Sequence, residues 1–243
     1  MSASAPSPSF SARRGLAPAL AALLLLAAGV GCGPPPTDTP DAGPPPIDDW
    51  SYFGLQVGRC YGFKGGVGGV QEMTMGVEEE RDVLGFVTRQ LVFRINGLVQ
   101  RTDYLTVAAG ELLIHRREER GMPGIDVELA PPALWLKRPV EPTDAAPLVT
   151  ETSATHLDSS VEAWTFETTV APLTSRIVPE RQVPYDAFPI FSVVKTPGAA
   201  DQQDIFYFSP EEGWSLLNLH GADLPEMELV KIWEPGGACG AIP

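Results

Sequence analysis

The sequence predicts a mainly β protein: a curved antiparallel sheet or open half-barrel with few short helices. Three observations carry this. Apolar residues recur with a period of two through most of the chain beyond residue 50. The segments showing that period are short, at spacings of about ten residues, and are separated by Gly, Pro, Asp and Ser. No segment sustains a helical period through three clean turns.

The elements follow in order. In "QLVFRINGL", residues 90–98, Leu91, Phe93 and Ile95 alternate with Val92, Arg94 and Asn96, and Asn96–Gly97 is a strong hairpin signal. "RTDYLTVAAGELLIHRREE", residues 101–119, reads as strand, glycine turn, strand. In "VEAWTFETTV", residues 161–170, Trp164, Phe166 and Thr168 share one face and Val161, Ala163, Thr165 and Glu167 the other. "AFPIFSVVKT", "DIFYFS", "WSLLNLH" and "MELVKIW" are four further strands. "MGVEEERDVLGF", residues 75–86, is expected to hold a short helix. Pro131, Pro132, Pro139, Pro142 and Pro147 suggest a break between two strand groups, residues 50–138 and 148–241.

The N-terminal end is organised differently. Leu16–Val30 is fifteen residues without a charge, preceded by Arg13 and Arg14. A bilayer-spanning helix needs roughly 20 apolar residues; this run is short for that and suits the h-region of a secretion signal. Its end, "GVGC" at residues 29–32, resembles the lipobox of bacterial lipoproteins, with Gly29 where that family usually has Leu. The resemblance implies removal of residues 1–31 and lipidation of Cys32. Acyl chains acting together hold a soluble domain at a membrane. Residues 33–49 hold seven prolines, two glycines and four aspartates, the composition of a semi-rigid extended tether. The domain plan is thus a signal at 1–31, a lipidated N-terminus and tether at 32–49, and a β domain at 50–241.

Without Arg13 and Arg14, the mature chain carries 15 Lys/Arg against 31 Asp/Glu, a formal charge of −16. Such a field repels nucleic acid, and the short "HRREER" is the one basic cluster to set against it. An exported compartment favours oxidation, so the remaining cysteines, Cys60 and Cys239, are expected to pair. They and the three scattered histidines give no zinc spacing, and no metal site is expected. His115 reads as a solvated histidine on a charged strand, with His156 in a polar segment and His220 at a strand end. No "GxSxG" elbow is present. The glycine-rich "FKGGVGGV", residues 63–70, lacks the Gly–Lys–Ser/Thr ending of a phosphate loop and reads as a hairpin tip. "PTDTPDAG" and "GADLPEME" offer oxygen ligands but not the spacing of an EF-hand.

"YFGLQVGRCYGF", residues 52–63, is similar to the opening "YxPLxxGxxWxY" of many secreted bacterial proteins and lipoproteins. "VPYDAFPIFSV" from Val183 matches their "V-P-x-x-x-F" segment, and "IFYFSPEEGWSLLNLH", residues 205–220, resembles their "WYAPGVGLVK" strand. Cys60 replaces the usual Trp, and Glu211–Glu212 the usual Gly–Val. The resemblance is, distantly, to the periplasmic lipoprotein-carrier fold and implies a curved sheet with a concave apolar face. On that face Phe206, Phe208, Trp214 and Trp233 are the candidate lining of an apolar-ligand site.

These readings converge on a membrane-tethered extracytoplasmic lipoprotein with a structural or binding role, attached to the bacterial outer membrane. Its expected partners are the membrane, through the N-terminal lipid, and an envelope protein or apolar ligand; nucleic acid is not expected. A carrier of lipid is the alternative, and a hydrolase the weakest reading, because no spacing selects catalytic residues. No enzymatic activity and no cofactor are expected.

Overall fold

The computed structural model describes residues 48–65, 71–120, 124–143, 146–177, 184–210, 213–219, 227–236, 239–240 and 242. The signal segment, Cys32, almost all of the tether, most of the glycine-rich tip, Glu211, Glu212 and His220 lie outside them. Pro46–Pro243 form one compact unit.

A single-turn helix, α1 (Asp49–Tyr52), opens the domain, with the Asp48 carboxylate accepting from the Ser51 amide at 3.0 Å as its N-cap. Among the described residues thirteen strands follow: β1 (Cys60–Gly65), β2 (Gln71–Val83), β3 (Phe86–Ile95), β4 (Leu98–Ala108), β5 (Glu111–Glu119), β6 (Ile125–Lys137), β7 (Leu148–His156), β8 (Val161–Val170), β9 (Thr174–Ile177), β10 (Pro184–Lys195), β11 (Gln202–Ser209), β12 (Gly213–Asn218) and β13 (Met227–Trp233). All pairings are antiparallel.

The predicted curved sheet is present, and its curvature carries through to closure. β1 to β8 pair in succession, β8 pairs β10, β10 pairs β11, and β11, β12 and β13 lead back to β1. β9 lies outside this circuit, on the end of β10. Among the described residues the seam is thinnest at β12–β13, where two residue pairs join the strands. Closure satisfies the edge groups that an open sheet would leave exposed.

The period of two explains the interior. Met73, Met75, Leu91, Phe93, Leu129, Trp164, Phe166, Phe206 and Phe208 all point inward into one core cluster. Charged residues dominate the other face of several strands, the reverse of a barrel whose outside meets lipid. Phe53 and Leu55, just after α1, are fully buried and close one end of the barrel.

The expected hairpin at Asn96–Gly97 is observed, with both residues at positive φ. Residues 75–86 do not form the expected helix. β2 runs through them to Val83, a register shift between Val77 and Glu80 absorbs the bend, and Leu84–Gly85 make the turn into β3. The acidic run Glu78–Glu80 is a solvated strand whose register is fixed by β3. The proline-rich break is narrower than the sequence suggests: β6 includes Pro131 and Pro132, and residues 138–147 connect β6 to β7. β6 and β7 pair across that connection, so the strand groups on either side belong to one sheet.

Candidate functional site

Three of the four ligand-lining candidates come together, and Trp233 lies apart from them. Phe206 and Phe208 share the inward face of β11, as their spacing implies, and Trp214 meets both from β12. Trp135 stacks on Trp214 with centroids 5.2 Å apart, and Phe206 meets Trp135 edge-on at the same separation. The Trp214 indole N–H donates to the Phe53 carbonyl at 2.9 Å. These rings fill one another's space, and all three candidates among them are buried. Trp233 lies on the outer face instead. A Cβ added to Gly62 of β1 would fall 2.7 Å from its ring.

A second interior layer is charged. Arg101 and Asp103 on β4 face Arg117 and Glu119 on β5, and Asp204 reaches them from β11. Arg117 donates Nε to Asp103 Oδ1 at 2.7 Å, and Arg101 pairs with both Asp103 and Asp204. Gln202 closes the group through Glu119 at 3.1 Å. The guanidinium of Arg101 lies over Phe93 and that of Arg117 over Phe166. Neighbouring carboxylates hold the Arg101 guanidinium protonated against the cost of its burial.

The sequence reading missed this layer and placed its neighbour wrongly. His115 is buried, not solvated. Ile114 pairs with Leu105 and Arg116 with Tyr104, leaving His115 as the extra residue of a β-bulge. Its Nε2 lies 2.8 Å from Thr106 Oγ1 and its ring 4.5 Å from that of Phe86. Burial pulls its pKa below the ordinary value. Arg116 points outward beside it and clamps Asp126 through two hydrogen bonds of 3.0 Å.

The open concavity of note lies outside the barrel, on β1–β3. It holds about 600 Å³. Its floor is the outer face of β2, Glu72, Thr74, Gly76 and Glu78; Arg94 of β3 and Val57 flank it, and Cys239, Gly240 and Ile242 form a wall. Cys60 and Cys239 are disulfide-bonded, as the cysteine count predicts, across 179 residues of sequence. Gly76 makes room for the bond: a Cβ there would lie 2.9 Å from Cys239 Sγ. Arg94 pairs with Glu78, and Lys64 with Glu72 at 3.9 Å, so the floor is polar while Val57 and Ile242 supply apolar edges. Among the described residues the groove therefore presents backbone, the charged groups of Arg59, Glu72, Glu78 and Arg94, the Thr74 hydroxyl and the aliphatic Val57, Val77 and Ile242. Among the described residues, no group of three or more His, Cys, Asp or Glu is placed to hold a metal ion.

No family model and no curated protein matches the chain. Two solved structures resemble it in the course of the backbone. One, described as a lipoprotein from Parabacteroides distasonis ATCC 8503, has a TM-score of 0.41 at 10% identity over 75% of this chain and 98% of that one. The other, described as an exported protein with a YmcC-like fold from Bacteroides fragilis NCTC 9343, has a TM-score of 0.40 at 10% identity over 75% of this chain and 99% of that one. At this level neither likeness bears on what the chain does.

Proposed function

We propose that this chain is a lipid-anchored extracytoplasmic protein of the bacterial cell envelope, with a binding or structural role and no enzymatic activity. The observation that carries the reading is the Cys60–Cys239 disulfide, which ties the first strand to the chain's far end. Such a bond forms and persists in an oxidising compartment. It agrees with the secretion-like segment before Cys32, and the lipobox-like "GVGC" makes Cys32 the anchor.

The outer groove is the place for a partner. Its paired charges and open glycine floor suit an extended segment of an envelope protein better than a detached lipid. Fractionation of cells expressing the wild-type chain and Cys32→Ala tests the anchor. The wild type should sediment with membranes and the variant should appear in the soluble extracytoplasmic fraction. Equal partitioning of the two would remove Cys32 from the account.

A further inference from the structure

The β2–β3 hairpin ends in an apolar tip outside the core cluster, where Phe86 rests one side of its ring against His115 and stays half-exposed. Leu84, Phe86 and Val87 are 52%, 49% and 65% exposed. Phe86 and Val87 are neighbours on one strand, so they point to opposite sides of the hairpin, and Leu84 caps its turn. Leu84 sits at φ 54, a left-handed position followed by Gly85 at φ 81. Turns of this kind favour Asn or Asp at the first place, and the Asn96–Gly97 turn of the same sheet follows that rule. Leu84 accepts backbone strain while presenting an aliphatic side chain to solvent.

The position of the tip is informative. Strand alternation puts the β2–β3, β4–β5 and β6–β7 connections at one end of the barrel. The N-terminal start of the domain is at that end. Trp50 lies against the Arg89 guanidinium, 4.2 Å from ring centroid to carbon, and Asp49 pairs with Arg138 at 2.8 Å. Arg89 is three residues from Phe86 along β3, about 10 Å. Asp48, the first described residue, therefore lies beside the base of this hairpin. Around the tip, Arg81 pairs with Glu79 and Arg89 with Glu80, which limits the net field of the collar.

We propose that Leu84, Phe86 and Val87 dip into the interface of a neutral phospholipid bilayer, so that the barrel docks on the membrane that anchors it, tip downward. The proposal rests on the reading that Cys32 is lipidated, since three side chains give weak membrane binding alone and gain force when an anchor holds them nearby. The acidic domain disfavours an anionic surface. Leu98, Leu157 and Val161 are also exposed but lie at the opposite end, away from Asp48, and face water in this orientation.

With Cys60 and Cys239 bonded and Cys32 acylated, an introduced cysteine is the sole free thiol. Leu84→Cys and, as the far-end control, Leu157→Cys are labelled with a polarity-sensitive thiol dye. Each is reconstituted from detergent into phosphatidylcholine vesicles, and intact mass records acylation. The Leu84→Cys label should shift to the blue and lose most of its emission to acyl-brominated phosphatidylcholine, while the Leu157→Cys label keeps a water-like spectrum. Acylated, vesicle-bound protein with both labels in water overturns the docking proposal and leaves the anchor intact. A non-acylated mass removes the anchor; both labels are then read in a Cys32→Ser background, where the tip proposal stands if the Leu84→Cys label still shifts and falls if it does not.

Discussion

Arg101 on β4 and Asp204 on β11 form an ion pair inside the barrel, with side chains 1% and 3% exposed. The pair links strands about a hundred residues apart in sequence and not adjacent in the sheet. It is a cross-barrel clamp, joined by the bond from Gln202 of β11 to Glu119 of β5. Removing Arg101 leaves Asp204 buried and charged without the guanidinium it faces, whereas removing Asp204 alone leaves Arg101 its Asp103 and Glu119 partners. Arg101→Met should therefore cost about 3 kcal/mol in urea unfolding at neutral pH. The double variant Arg101→Met, Asp204→Leu should be the more stable of the two. A double variant no better than Arg101→Met would mean the clamp owes its place to net electrostatic gain.

His115 gives the barrel a defined pH response. Burial beside Phe86 and Thr106 lowers its pKa below 6.5 in the folded state. The unfolded chain takes up a proton there near 6.5 while the folded chain does not, so this contribution to stability falls as pH drops below about 6.5. The fall ends once the folded pKa is passed. His115→Gln should flatten that part of the stability–pH curve in denaturant titrations between pH 7 and 5. An unchanged slope would contradict the assignment.

The disulfide should contribute on the order of 2–5 kcal/mol, because it closes a long loop in the unfolded chain. The paired Cys60→Ser, Cys239→Ser variant tests this by urea unfolding against the oxidised parent. Gly76→Ala should act on the same bond, since its Cβ would press on Cys239 Sγ at 2.9 Å. Faster reduction by dithiothreitol is the expected readout, and wild-type kinetics would show that the strand gives way instead.

Leu84→Asn should raise stability by about 1 kcal/mol, because Asn tolerates the left-handed region that costs Leu strain. Thermal unfolding of the soluble domain measures it. A loss of stability would mean that Leu84 makes packing contacts outweighing its backbone strain.

Much of the sheet was legible because alternation survives in most strands. Trp164, Phe166 and Thr168 face inward on β8 as read, and Phe206 and Phe208 on β11. The charged layer was not legible, for a specific reason. On β5 the inward residues are Leu112 and Ile114, then Arg117 and Glu119; the bulge at His115 switches the parity between them. A period-two reading carried through the bulge puts Arg117 in water. The usable signal was in β4, where Arg101 and Asp103 share parity with the core residue Leu105. Trp233 was misplaced among the inner aromatics because β13 carries an extra residue opposite Gly62–Phe63, which turns Lys231 and Trp233 outward and Ile232 toward the core. Closure depends on β8 meeting β10 past β9 and on β13 meeting β1, pairings that no local pattern records.

The central claim, an exported protein held to a membrane through Cys32, is tested most directly by intact mass of the detergent-extracted native chain. The account predicts a chain that begins at Cys32, carries acyl additions on that residue, and is two hydrogen atoms lighter than its reduced form from the Cys60–Cys239 bond. A mass corresponding to the full sequence from Met1, or to a cleaved but unacylated chain, would contradict it.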